Sequence, residues 1–310
     1  MLQGAESRQA GEVERLIAWL HSQPEMDVIC LSNSLLSGLA RRLKEEFRVP
    51  VVCTMQGEDS FLDGLQAPYR EQAWELLAAR CADIDHFVAI SHYYGELMGR
   101  RLELDPGRVT VVYPGIAVEE FSPSPAPPDP PTIGFLARMH LSKGLDTLVD
   151  AFHQLQMPGV RLRIAGAMTG EDERLVRSLR QRIRGDVDFF PNPDRAAKIQ
   201  FLRGLTVLSV PANYGEAFGL YILEAWAAGL PVVQPRAGAF PELLEKTGAG
   251  LLFEPGDPAS LTAALRQILC DPVATRRMGE AGLRAVHTDF TLGGMAREIE
   301  TVLMKITHAA

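Results

Sequence analysis

Two glutamates eight residues apart carry all the charge of one apolar stretch, "EAFGLYILEAWAAGLPVV", residues 216–233. Glu216 opens it, and Glu224 is the sole charge between Ala217 and Pro235. A helix from Gly219 to Gly229 would put Leu220, Leu223, Glu224 and Ala227 on one face, at i, i+3, i+4, i+7 spacing. An ionised carboxylate there is costly unless a hydrogen-bond donor or a wet cleft meets it. Two readings follow for Glu224: a structural pair with a neighbouring backbone group or arginine, or a ligand for a hydroxylated molecule. Glu216, just ahead of the helix, suits the positive helix end as a plain cap. Alternatively, the amides of Phe218, Gly219 and Leu220 gather at the helix start as an anion pocket, with a glycine permitting close approach.

A second set of residues lies in "GFLARMHLSKGLDTLVDAF", residues 134–152. A strand ending near Ala137 places Arg138 at its carboxyl end, and Lys143-Gly144 opens the next helix. The helix dipole disfavours a lysine at that end, and an anion held by Arg138 and Lys143 would offset the penalty. The plainer reading is two solvated basic residues in a loop, with His140 between them as a loop residue. In open α/β sheets, ligands bind beyond the carboxyl ends of the strands, and Arg138, Lys143, Glu216 and Gly219 all follow strands. Two cations and a helix N-terminus suit a diphosphate, and two carboxylates suit sugar hydroxyls. Together they point to a nucleotide sugar.

The elements that must hold these residues alternate in a βα rhythm. Strands are predicted from "VICLS" at 28, "VPVVCTM" at 49, "HFVAIS" at 86 and "RVTVVYP" at 108, then from "TIGFLA" at 132, "RLRIAG" at 161, "VDFF" at 187, "LTVLSVPA" at 205, "PVVQPR" at 231 and "GLLFEP" at 250. Amphipathic stretches such as "SLLSGLARRLKEEF" and "PYREQAWELLAARCA" separate them, the pattern of parallel sheets covered by helices. A run with six prolines, "FSPSPAPPDPP" at 121–131, reads as a stiff linker. The expected organisation is therefore a first domain over 1–121, a linker over 122–131, a second domain over 132–290 and a terminal helical segment over 291–310. The first domain opens directly on a helix, "EVERLIAWLHSQ", where a doubly wound domain normally begins with a buried strand. It is expected to be incomplete at its start.

The 310 residues, 46% hydrophobic and 23% charged, suit two soluble globular domains. A net charge of −8 argues against nucleic acid as a main partner. Cys30, Cys53, Cys81 and Cys270 lack metal-binding spacing and read as free thiols. No uncharged run has the length of a membrane span, and the N-terminus lacks a signal-peptide core. A cytoplasmic protein is expected, with only weak peripheral membrane contact because its basic residues are not densely clustered.

The second half resembles glycosyltransferase family 4 (glycosyl transferases group 1), retaining enzymes of the GT-B fold. The resemblance rests on Gly134-x-x-x-Arg138, on Lys143-Gly144, and on Glu216-x7-Glu224 within "E-x-F-G-L-x-x-x-E-A-x-A-x-G-x-P-V-V". It implies an α/β architecture of two Rossmann-like domains with parallel sheets facing across a cleft. It implies that Arg138 and Lys143 hold the donor diphosphate, with Glu216 on the donor sugar near the reacting centre and Glu224 on the ribose. Phe218, Gly219 and Leu220 would lend backbone amides. It further implies transfer to a carbohydrate or lipid-linked acceptor with retention, no metal, and no cofactor beyond the donor itself. The terminal helix would cross back to the acceptor-side first domain. Where the family usually has a histidine-glycine pair, this chain has Gln56-Gly57, either a site on the donor or acceptor side or a polar turn. The missing family strand at the front keeps a non-catalytic nucleotide-sugar binder or regulatory subunit as the alternative. A GT-B epimerase fits the Glu216–Glu224 pattern less well.

Overall fold

The computed structural model describes residues 2–4 and 8–308. The chain divides into two compact units, one of Met1–Tyr113 with Met295–Ala310 and one of Pro114–Gly294. The division falls ahead of the boundary expected at residue 121, so the proline-rich run belongs to the second unit.

The first unit is built on four parallel strands, β1 (Ile29–Leu31), β2 (Val51–Met55), β3 (His86–Ala89) and β4 (Val109–Val111), in the order β1-β2-β3-β4. Helices α1 (Ala10–Leu20), α2 (Ala40–Phe47), α3 (Asp59–Asp63), α4 (Tyr69–Arg80) and α5 (His92–Arg101) connect or flank them. The β-branched residues of β2 and β3 are nearly all buried, as expected of a sheet covered by helices. Ser91 starts α5 by accepting from the Tyr94 amide at 3.0 Å, the N-cap geometry. Val52, Val88 and Val112 form a small core with Val302, flanked by Met295, Ile299, Leu303 and Ile306.

The second unit carries a six-stranded parallel sheet. Its strands are β5 (Thr132–Leu136), β6 (Arg161–Gly166), β7 (Asp186–Pro191), β8 (Val207–Leu208), β9 (Val232–Pro235) and β10 (Gly250–Phe253), in the order β10-β9-β8-β5-β6-β7. Around it run α6 (Leu145–Leu155), α7 (Glu173–Arg182), α8 (Arg195–Arg203), α9 (Leu220–Ala227), α10 (Phe240–Thr247), α11 (Pro258–Cys270) and α12 (Pro272–Thr288); α13 (Leu292–Thr307) ends the chain. The core joins Ile133 and Phe135 of β5 to Leu145, Leu148 and Val149 of α6 and to Leu261 and Leu265 of α11. Removing such apolar side chains from water contributes about 1.5–3 kcal/mol each.

All ten predicted strands form, but the one expected from "LTVLSVPA" contracts to Val207–Leu208. Beyond it, Val210 donates to the side chain of buried Gln234 at 3.3 Å rather than to a neighbouring strand's backbone. Among the described residues, no helix is long and apolar enough to cross a membrane.

Candidate functional site

Arg138 follows β5, as predicted, and its guanidinium is held by a buried acid. Nε donates to Asp172 Oδ2 at 3.0 Å and Nη2 to Thr169 Oγ1 at 3.3 Å, with Glu171 at 3.6 Å. Asp172 also accepts from the Thr169 amide at 2.9 Å and its hydroxyl at 2.8 Å. Burial would raise the Asp172 carboxyl, but these donors outweigh it and hold it down to about 2. Nη1 of Arg138 takes part in none of these contacts, so the cation is oriented while keeping donors for an anion.

Lys143 and Glu216 meet directly, across 73 positions of sequence. Lys143 Nζ donates to Glu216 Oε2 at 2.5 Å and also to the Tyr214 hydroxyl. Tyr214 in turn donates to the same carboxylate at 3.2 Å, and Tyr221 donates to it at 3.3 Å. Burial would lower the Lys143 ammonium, yet the facing carboxylate and phenol raise it. The ammonium is therefore protonated at any pH near neutral, and one of its three N–H groups lies outside these two contacts.

Two glycines make this meeting sterically feasible. Gly144 has φ +69°, and a Cβ there would lie 1.8 Å from the Pro211 carbonyl oxygen. Gly238 has φ +63°, and a Cβ would lie 2.5 Å from both Glu216 N and O. The Lys143-Gly144 pair was expected to open the helix, and the structure differs. Lys143 closes a short 3-10 turn over Leu141–Lys143, and left-handed Gly144 becomes the N-cap of α6.

Glu224 lies on α9, whose N-cap is Gly219. The helix is shorter than the predicted Gly219–Gly229 span because Ala228, at its C-cap, leaves helical geometry. Phe218 is a core residue packed edge-on against Phe290 at 6.2 Å, whereas Leu220 is half exposed. The amides of Phe218, Gly219 and Leu220 do precede or open the helix, as expected. The partner of Glu224 is neither backbone nor arginine but Lys198 of α8, which donates to Oε1. Sequence reading missed Lys198, Tyr214, Tyr221 and Asp172. Only the partner demanded by a carboxylate in an apolar helix gave a sign that one of them existed.

In the first unit, Gln56 and Gly57 follow β2. The Gln56 side-chain amide donates to the Ser32 carbonyl at 2.8 Å. Both backbone amides donate to Glu58 Oε2, at 2.7 and 2.9 Å. Glu58 also accepts from Ser34 N at 2.8 Å and from the Tyr94 hydroxyl at 2.9 Å, and it is only 6% exposed. Gln56-Gly57 is thus a braced turn at the carboxyl edge of this sheet. The four cysteines are free; burial pushes the Cys81 thiol up to about 12 and raises Cys53 further. Among the described residues, no group of three or more His, Cys, Asp or Glu is placed to hold a metal ion.

A family profile described as glycosyl transferases group 1 matches residues 118–285, more than half of the chain, including Arg138, Lys143, Asp172, Lys198, Glu216 and Glu224. The chain belongs to this family. A second profile, glycosyltransferase family 4, matches residues 3–120. Among relatives of this group 1 member, a glycogen synthase of Mycobacterium tuberculosis is 26% identical over 275 residues, covering 85% of this chain and 65% of the relative. The chain thus spans just under two thirds of that relative's length. Sucrose-phosphate synthase from Thermosynechococcus elongatus superposes with a TM-score of 0.83 at 21% identity, over 98% of this chain and 80% of the other. The Anabaena protein Alr3699/HepE, in complex with UDP, gives 0.83 at 20% identity, over 94% and 82%. The fold of this group 1 chain is GT-B, with two parallel-sheet α/β units.

Proposed function

We propose that the protein transfers a sugar from a nucleoside-diphosphate sugar to an acceptor hydroxyl, with retained anomeric configuration and without a metal ion. The observation that carries this reading is the contact of Lys143 with Glu216, reinforced by two phenols, beyond the carboxyl ends of the strands in a group 1 chain. A nucleotide-bound neighbour of the same fold supports the donor class.

In this mechanism Lys143 and Arg138 bind the donor diphosphate and stabilise the negative charge that grows as the sugar C1–oxygen bond breaks. Such preorganised electrostatics is usually the largest catalytic contribution. Glu216 orients the sugar hydroxyls, and Tyr214 and Tyr221 fix the carboxylate. The acceptor oxygen bonds to C1 on the face the diphosphate leaves, and its proton passes to the departing phosphate oxygen. Glu224 accepts from the ribose, and the helix-start amides of Phe218, Gly219 and Leu220 face donor oxygens. Gln56-Gly57 offers a rigid polar turn to donor or acceptor. The acceptor is a carbohydrate or lipid-linked hydroxyl, and the four free thiols suit a reducing, cytoplasmic setting.

A thermal-shift panel of UDP, GDP, ADP and their glucose conjugates tests the site. A ligand at about 100 times its Kd stabilises by about 2.7 kcal/mol. Lys143→Ala is expected to weaken the nucleotide that binds by ~10-fold or more, because a charge-assisted contact disappears. Glu216→Ala should reduce turnover far more than nucleoside-diphosphate affinity. Unchanged nucleotide affinity in Lys143→Ala would reject the assigned site. Affinity without transfer or slow donor hydrolysis would favour a non-catalytic binder, and loss of transfer in excess chelator would refute metal independence.

A further inference from the structure

Lys198 sits in the first turn of α8, four residues after Asp194, whose carboxylate caps the helix by accepting from Ala197 N at 2.7 Å. A cation so near a helix N-terminus opposes the dipole. Its ammonium reaches across 26 positions to Glu224 Oε1. Both side chains are largely withdrawn from water, at 24% and 18% exposure. Arg195 of the same helix adds positive potential at Glu224 while its own hydrogen bond goes to Glu120.

A part-buried ion pair of this kind contributes little net stability, because desolvation offsets the attraction. What it does supply is orientation. With Oε1 engaged by Lys198, the carboxylate plane is fixed and Oε2 is the oxygen that can accept from a ligand hydroxyl. A site built to accept from a hydroxyl discriminates strongly against analogues lacking it, provided its polar groups cannot turn elsewhere.

We infer that Lys198 is a positioning residue for the nucleotide: it holds Glu224 so that the site selects ribonucleoside over deoxyribonucleoside diphosphates. This rests on the reading of Glu224 as the ribose ligand. Lys198 does not itself touch the reacting atoms. Its effect is confined to the ratio of affinities for ligands with and without the ribose hydroxyls.

The test is isothermal titration with UDP, GDP and ADP and their 2′,3′-dideoxy counterparts, on the wild type and on Lys198→Met, Lys198→Arg, Glu224→Gln and Lys143→Ala. The wild type is expected to prefer the ribonucleotide of its base by ~10-fold or more, one charge-assisted hydrogen bond's worth. Lys198→Met should reduce that ratio to about 3-fold or less, and Lys198→Arg should restore most of it because a cationic donor remains. Lys143→Ala should weaken both ligands and leave the ratio intact. A purely structural Lys198 would lower the melting temperature of Lys198→Met but leave the ratio unchanged, and that result overturns the inference. A ratio unchanged in Glu224→Gln, binding indifferent to Lys143→Ala, or no binding of any nucleotide would instead overturn the donor-site reading beneath it.

Discussion

The two units each bury a carboxylate beside a turn at the carboxyl edge of their sheet, but they give it different partners. In the first unit Glu58 accepts from three backbone amides, of Ser34, Gln56 and Gly57, and from one phenol. In the second unit Asp172 accepts from Arg138 as well as from Thr169, and Glu216 accepts from Lys143. Backbone donors cannot swing away, so Glu58 fixes the course of the chain. Side-chain cations retain further N–H groups, so Asp172 and Glu216 fix the direction of charges that can still meet a ligand. The same chemical group thus serves architecture in one place and recognition in the other, according to whether its donors are already fully used.

Removing the brace should have the largest consequence for folding. Glu58→Ala leaves the buried Ser34 amide, the buried Tyr94 hydroxyl and two part-buried amides without an acceptor and is expected to cost about 3 kcal/mol or more, read from urea unfolding. A loss below about 1 kcal/mol would erase the distinction between the two turns. Next comes Asp172→Asn, with a loss of about 2 kcal/mol at neutral pH and a distinctive acid profile. The folded carboxyl is held down to about 2, below the value of about 3.9 for an unfolded aspartate. Its contribution is therefore complete above about pH 4 and disappears as the pH falls towards 2. Melting temperatures from pH 6 to 2.5 should converge for wild type and variant at the acid end; parallel curves would contradict the assigned ion pair.

Smaller effects should accompany the recognition residues themselves. Lys143→Met is expected to change stability by about 1 kcal/mol, because two phenols still donate to Glu216. Its main signature is lost nucleotide affinity. A stability loss as large as that of Glu58→Ala would show that Lys143 is a brace as well. Tyr221→Phe removes one of the three donors and should cost about 1 kcal/mol or less, with turnover falling more than nucleotide affinity. Equal loss of both would place Tyr221 in the scaffold.

Local pattern was enough to find the strands, because alternating helices and short β-branched runs admit few architectures besides covered parallel sheets. Boundaries were less readable. Beyond β8 the Val210 amide goes to the Gln234 side chain, and left-handed Gly144, the N-cap, puts the start of α6 at Leu145, two residues beyond the lysine that looked like its opening. In the site, Arg138, Lys143, Glu216 and Glu224 stood out because charge is conspicuous at strand ends and in apolar helices. Their partners did not. Nothing in the spacing of Tyr214, Tyr221 or Lys198 marks them as partners of these charges.

The order of elements, the charged residues that end them and the need for something to meet Glu224 are properties of the chain, set by short-range periodicity and by the cost of burying charge. Which donor meets which acceptor is not. Lys143 and Glu216 are 73 positions apart, and Lys198 and Glu224 are 26. Such pairs form only once parallel strands have stacked in one order and brought successive turns to the same edge. Periodicity reports which face of its own element a residue occupies, whereas pairing depends on packing between elements whose sequences carry no record of each other.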